Sequence, residues 1–311
     1  MSDVSDISVV VSASSLERPF LVRLIEQCLV FADNVVVSSG SMMYDGREED
    51  AEYWKYVREH FLSAQTLGRV RFITYAVGTT ELLKHAIRPN ALHNRARREA
   101  VAELLSWRRE VQRNKTWVLF LDGDEVPDGK SVRTWWTAVN TRATVRDNQR
   151  NAYKLANHWY FLLPTLRAGT PEDSVLLVHQ SVLETETEGV CGRPCRCLSD
   201  DNAIERDGIA RSVPGVVHRM VGAGSPMFHH FSWVRSMRVD LERKVGAWGH
   251  RDDRPWTTLL RRAWNEIESG RPPTKDFVHG YNLERVPLDA VRPFCCDADA
   301  LSHALLSYTC T

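Results

Sequence analysis

Short apolar runs alternate with longer stretches of helical period through the first 125 residues, and that alternation marks a chain of βαβ units. Ile7 to Ser12 (Ile-Ser-Val-Val-Val-Ser) predicts a first strand. Glu17 to Phe31 predicts a helix with Phe20, Leu21, Leu24, Ile25, Cys28 and Leu29 along one side. Asn34 to Ser38 reads as a second strand, Arg47 to Ala64 as a long charged helix and Val70 to Tyr75 as a third strand. Asn90 to Trp107 then predicts a third helix and Trp117 to Leu121 a fourth strand. Right-handed crossovers would set these strands parallel, with the loops at their carboxyl ends on one edge. Ser12-Ala13-Ser14, Ser38-Ser39-Gly40, Ala76-Val77-Gly78 and Asp122-Gly123-Asp124 gather there. Such loops pack closely on a nucleotide, and the same residues are also good turn formers.

After Asp128-Gly129 the pattern changes. Ser131 to Val139 predicts a helix, Ala152 to Leu163 a strand with an exposed aromatic edge (Tyr153, Trp159, Tyr160), and Val175 to His179 a further apolar run. From Glu184 to Ala210 periodicity is lost, which suits a mobile loop or irregular insertion. Val213 to Met220 and Met227 to Ser232 return to strand-like content, and Arg235 to Gly249 and Trp256 to Ser269 read as helices. A Pro272-Pro273 break and a weakly patterned tail follow. The expected class is α/β, with a mostly parallel, Rossmann-like central sheet flanked by helices and an irregular C-terminal part.

Composition excludes more than it suggests. Lys+Arg and Asp+Glu stand at 40 each in 311 residues, so no global field favours nucleic acid or an anionic membrane. No apolar stretch approaches membrane-spanning length and Met1 to Asp6 carries no basic start, so a cytoplasmic protein is expected. Seven cysteines without a regular framework fit reduced thiols. Cys191, Cys195 and Cys197, with His179 upstream, could form a structural zinc site, although their spacing is not that of a zinc knuckle.

The chemistry concentrates where the apolar run Trp117-Val-Leu-Phe-Leu ends in Asp122, Asp124 and Glu125. Ligands of parallel sheets collect at the carboxyl ends of strands. If the strand continues, Asp122 and Asp124 share a face and can reach one divalent cation, Mg²⁺ or Mn²⁺, while Glu125 points elsewhere. A strand followed by an acidic helix cap would carry the same letters. On the preceding helix Asn90, Asn94 and Arg97 lie near one line and can offer donors to a diphosphate or a sugar hydroxyl. His229 and His230 are neighbours on a short strand, so their rings face opposite ways and one of them can join the acids. Arg235, Lys244, Trp248, Gly249, His250, Asp252, Asp253 and Trp256 add cations for phosphate and aromatics for sugar faces.

These residues carry a resemblance. Asn94-x-Ala96-Arg97, then Trp117-Val-Leu-Phe-Leu-Asp-x-Asp-Glu, then His230-Phe231-Ser232-Trp233-Val234-Arg235 with Lys244 and Trp248-Gly249-His250, is similar to family-two-like glycosyltransferases of the GT-A fold, including microbial and large-virus members. The resemblance spans about residues 5 to 260. It implies a GT-A-like nucleotide-sugar-binding and catalytic domain over 1–260, with 261–311 as a helical or irregular extension. It also implies a cation, Mn²⁺ or Mg²⁺, on the donor diphosphate, held by Asp122 and Asp124 with His229 or His230 as third ligand. Asp124 would be the direct ligand if Asp122 turns to the ribose, and Glu125 would complete the catalytic acids. Ser12, Ala13, Ser14 and Ser39 would lie by the nucleotide, with Asn94, Arg97, Arg235 and Lys244 on its phosphates. The implied partners are a UDP- or GDP-sugar and a glycan acceptor. No residue matches an acidic base cleanly: Asp173, Glu184, Glu186, Asp200 and Asp201 all remain open. Strand-terminal carboxylates also serve nucleotidyltransferases and metal phosphohydrolases, and a silent carbohydrate-binding protein of the same fold would share the pattern.

Overall fold

The computed structural model describes residues 7–87, 91–110, 117–142, 152–184, 217–219, 227–235, 237–247 and 254–297. In chain order these form β1 (Ile7–Ser12), α1 (Leu21–Cys28), β2 (Asn34–Gly40), α2 (Ala51–His60), α3 (Leu62–Thr66), β3 (Val70–Tyr75), α4 (Thr79–Ile87) and α5 (Ala91–Glu110). Next come β4 (Trp117–Asp122), β5 (Glu125–Pro127), α6 (Gly129–Arg142), β6 (Ala152–Leu162), β7 (Leu166–Ala168), β8 (Glu172–His179), α7 (Gln180–Glu184), β9 (Val217–Arg219) and β10 (Phe228–Val234). Helices Arg238–Ala247 and Trp256–Glu268 and strand β11 (Leu283–Arg285) complete the part that bears on the site.

The strand order is β11-β7-β6-β8-β4-β1-β2-β3. β3, β2, β1 and β4 run parallel, as the βαβ pattern expects, β8 joins antiparallel to β4, and β6 joins antiparallel to β8 with its aromatics Tyr153, Trp159 and Tyr160 buried instead of exposed, because core side chains cover both its faces. β10 lies parallel to β6 and antiparallel to β5, off the main path. Alternation along β1 shows why helices cover both faces. Val9 and Val11 pack with Phe20, Leu21, Leu24 and Ile25 of the α1 side, whereas Val10 packs with Val36 and with Ala100, Val101 and Leu104 of α5. The connection leaving β1 and the connection entering β4 therefore run on opposite faces. Between two such neighbouring strands a crevice opens beyond their carboxyl ends, where α/β proteins bind ligands.

Several elements are shorter or more divided than their periodicity suggests. The helix expected from Glu17 begins as a 3₁₀ turn, Ser15–Glu17, before α1 takes over. The charged helix expected over 47–64 starts at Asp50, whose carboxylate accepts the Tyr53 N–H at 3.0 Å, and divides into α2 and α3. Helix Trp256–Glu268 runs across residue 260 and packs Leu260, Trp264 and Ile267 against Trp159 and Trp233. β11 pairs with β7, and Val291, Phe294 and Cys295 enter the main core. Residues 261–297 are thus built into the same sheet and core as the residues before them. Among the described residues no helix is long and apolar enough to cross a membrane. Asn90, most of the irregular stretch after Glu184 with Glu186, Cys191, Cys195, Cys197, Asp200 and Asp201, and the segment with Trp248 to Asp253 lie outside the described residues.

Candidate active site

β1 and β4 pair in a register that sets Ser12 beside Asp122, and the Gly123 N–H donates to the Ser12 carbonyl at 2.8 Å. The loop Ser12–Ser14 and the acids thus meet at the carboxyl ends of β1 and β4. Gly123 allows this approach. A Cβ at that position would stand 2.9 Å from Ala13 Cβ and 3.0 Å from Glu17 Cγ, so a side chain there would push the two loops apart.

Asp122 and Asp124 do not act as two rungs of one strand. β4 stops at Asp122, the chain turns through Gly123 and Asp124, and β5 begins at Glu125. Each acid has its own partners. Arg97, from α5, donates to both Asp122 oxygens, at 2.9 and 3.2 Å. Asp124 is buried and holds Lys244 Nζ at 2.7 Å and an Arg235 Nη at 3.1 Å, both on Oδ2. His230 Nε2 stands 3.7 Å from Oδ1 of the same carboxylate. Burial by itself would raise the Asp124 pKa. Lys244, Arg235 and His230 outweigh it and hold the carboxyl well below the usual range.

Pairing across the sheet brings His230 to the acids. β10 runs antiparallel to β5 with His230 opposite Glu125, and the Phe231 N–H donates to the Asp124 carbonyl at 2.9 Å. Alternation then sends His229 to the other face, where its Nδ1 lies 2.9 Å from the Tyr160 hydroxyl and its ring stacks on Phe294 with centroids 3.8 Å apart. Burial, with the charges of His158 and Arg167, pushes the His229 imidazole down to about 3. Of the two histidines the structure brings His230, and not His229, to Asp124.

Glu125 is likewise committed to partners inside the protein. It is fully buried, accepts the Asp122 N–H at 2.9 Å on one oxygen, and accepts the Ser174 hydroxyl at 3.2 Å on the other. Ser174 in turn receives the Asn157 side-chain amide at 2.5 Å. This chain of hydrogen bonds fixes the turn between the two aspartates, which is a positioning role.

Arg235 is placed behind the acids instead of in front of them. Its side chain is 2% exposed, and its Nη atoms reach the carbonyls of Phe231 and Val234, Asp124, and Glu17 Oε1 at 3.2 Å. Glu17 also closes a capping box, accepting the backbone N–H and the hydroxyl of Ser14 at 2.7 and 2.6 Å. The Ser14 hydroxyl is therefore engaged in shaping its own loop. Ser39 and Asn94 are buried, Ser39 in β2 and Asn94 on the inner side of α5, whereas Arg97 and Lys244 keep part of their surface at the site. Asp173 stands half-buried on β8.

Glu17 and Tyr44 join this site without having been singled out in the sequence. Glu17 had a readable signal, because Ser14-Ser15-Leu16-Glu17 has capping-box spacing. Tyr44, in the loop after β2, places its hydroxyl 3.5 Å from Ser12 Oγ and its ring 4.2 Å from that of His93. Burial raises its phenol well above the ordinary value. Nothing in its sequence neighbourhood marks it.

Among the described residues no group of three or more His, Cys, Asp or Glu is placed to hold a metal ion. Asp124 and His230 do offer a two-donor set. Donors each about 2.1 Å from one cation are at most about 4.2 Å apart, so a 3.7 Å separation is compatible with both binding it. The set is a hard carboxylate with a borderline imidazole, a donor pair that Mn²⁺ accepts.

No family model matches the sequence, and no curated protein matches it either. Among solved structures the chain is similar to the crystal structure of a glycosyltransferase involved in the glycosylation of the major capsid of PBCV-1, at 11% identity over 78% of this chain and 98% of that one, with a TM-score of 0.32.

Proposed function

We propose that the chain is a glycosyltransferase that moves a sugar from a nucleotide diphosphate sugar, a UDP- or GDP-sugar, to a hydroxyl of a glycan acceptor. The observation that carries this reading is the meeting of Ser12–Ser14, Asp122 and Asp124 with the cations Arg97 and Lys244 at the carboxyl ends of β1 and β4. At that crevice an α/β sheet accepts a nucleotide, and the residue types match its parts. A carboxylate accepts hydrogen bonds from ribose hydroxyls, and an ammonium or guanidinium answers phosphate.

Asp122, oriented by Arg97 and by its N–H bond to Glu125, would take a ribose hydroxyl. Asp124 Oδ1 and His230 Nε2 would hold a divalent cation, Mn²⁺ or Mg²⁺, whose contribution when bound is to neutralise charge building on the departing diphosphate. Lys244 and Arg97 would share that load from the protein, and their positive charge counts for more as the bond from the sugar to the diphosphate breaks. The acceptor oxygen would form the new bond to the sugar as the bond to the diphosphate breaks, its proton leaving to a general base if the reaction inverts. Buried Arg235 and Glu125 keep the two aspartates in place and so serve the chemistry indirectly.

A panel of sugar nucleotides, with and without Mn²⁺, tests this by thermal shift, because a ligand that binds only the folded protein raises its melting temperature. Stabilisation by one nucleotide family that depends on Mn²⁺, with nucleoside diphosphate released, supports the reading. Pyrophosphate release would replace it with nucleotidyl transfer, and binding without turnover on any glycan would replace it with a carbohydrate-binding role.

A further inference from the structure

Two protein cations converge on a single oxygen of Asp124, and they differ in how they are held. Arg235 is 2% exposed and is pinned by two carbonyls and Glu17. Lys244 is 22% exposed, sits on helix Arg238–Ala247, and has Asp124 as its partner at 2.7 Å. The first is a fixture of the fold, whereas the second is a point charge on a flexible four-carbon stem. We infer that Lys244 is an exchangeable counter-cation: it rests on Asp124 in the free protein and passes to the diphosphate of the donor when cation and donor bind. This inference rests on the function proposed above.

Asp124 is buried, so its negative charge needs a partner at all times, and because Arg235 is shared with Glu17, either Lys244 or a bound cation must complete its neutralisation. The remaining oxygen, Oδ1, faces His230 Nε2 at 3.7 Å. A dication held by Oδ1 and His230 would crowd an ammonium on Oδ2, and like charges at such spacing in a desolvated site repel strongly. Lys244 is the member of the pair free to leave, since its side chain keeps 22% of its surface exposed while that of Arg235 is enclosed. A diphosphate arriving beside it offers the ammonium a second anionic partner. The resting pair therefore weakens cation binding in the absence of donor, and donor binding relieves it. By linkage the cation and the nucleotide then strengthen each other's binding by one and the same factor.

The test is a Mn²⁺ titration of the full chain, followed by the electron paramagnetic resonance signal of free Mn²⁺, for the natural protein and Lys244→Met, each alone and with UDP or GDP. Lys244→Met is expected to bind Mn²⁺ about tenfold tighter than the natural protein without nucleotide, and to lose most of the tightening that nucleotide gives the natural protein. Unchanged or weaker Mn²⁺ binding in the variant without nucleotide overturns the inference, as does an undiminished nucleotide effect. Lys244→Gln, which keeps a polar end, is read in the same way should the methionine variant not fold. Failure of the function itself looks different: neither Mn²⁺ nor nucleotide then binds the natural protein, and the inference falls with it. Nucleoside diphosphate release that persists alongside an unaltered Mn²⁺ affinity in Lys244→Met leaves the function standing and removes the exchange.

Discussion

Arg235 and Asp124 form an ion pair of 3.1 Å whose two side chains are 2% and 5% exposed. The same guanidinium holds Glu17 at 3.2 Å, so one buried cation ties the loop after β1 to the acid after β4. Breaking a buried pair by removing one partner leaves an uncompensated charge, at a cost of about 3–5 kcal/mol. Arg235→Met should lower stability to urea by an amount in that range and weaken nucleotide binding together with it. A loss below about 1 kcal/mol, the range of an exposed pair, would contradict the keystone role.

Gly123 makes a second, independent prediction. Its missing Cβ leaves room for Ala13 and Glu17 at 2.9 and 3.0 Å, and overpacking of this kind costs about 1–3 kcal/mol. Gly123→Ala should destabilise the fold to that extent and reduce nucleotide affinity, because the crevice between the two loops widens. Retained affinity in a destabilised variant would separate the loop contact from the site.

Glu125 distinguishes positioning from chemistry. It is buried and occupied by the Asp122 N–H and the Ser174 hydroxyl. Glu125→Gln keeps an oxygen for the Asp122 N–H, so kcat should fall by less than about tenfold and its pH profile should keep its shape. General acid or base catalysis contributes about 10²–10⁴-fold, and a loss of that size would make Glu125 a direct participant.

His229 gives a dependence on pH with a definite sign. Its pKa is pushed down to about 3 in the folded protein, first by burial and then by His158 and Arg167, against about 6.5 for an ordinary histidine. Between those values the unfolded chain binds the proton that the folded protein refuses, so this contribution is present above about 6.5 and drains away as the pH falls toward 3. The melting temperature should decline between pH 6.5 and 5, and His229→Gln should flatten that decline. An equally steep slope in the variant would assign the pH response to other groups. Asp124 has the same sign at lower pH: its depressed pKa keeps its ion pairs intact until well below the usual carboxylate range.

What the sequence made legible follows from where local rules hold. The valine-rich runs of β1 and β2 and the apolar lead-in of β4 could hardly be anything but buried strands, and they place the acids at the sheet edge. The division of labour between Asp122 and Asp124 was not legible, because side chains alternate only within a strand and β4 ends at the first of them. Alternation separated His229 from His230 correctly by face, yet it could not say which face held the acids. That required the pairing of β10 with β5, a contact more than 100 residues apart in the chain. Arg235 looked like a phosphate ligand by residue type, and only its enclosure by Glu17, Asp124 and two carbonyls shows it facing inward. β11 is three residues long, too short for any period, so its pairing with β7 had no signature.

Sugar transfer as proposed depends on the charge that Asp124 anchors. The direct measurement is nucleoside diphosphate release from UDP- and GDP-sugars with Mn²⁺ and a mixed glycan acceptor, for the natural protein and Asp124→Asn, with melting curves to establish that the variant folds. Release by the natural protein and a loss of at least about 10²-fold in the folded variant are expected. Equal turnover by the two proteins would contradict that dependence.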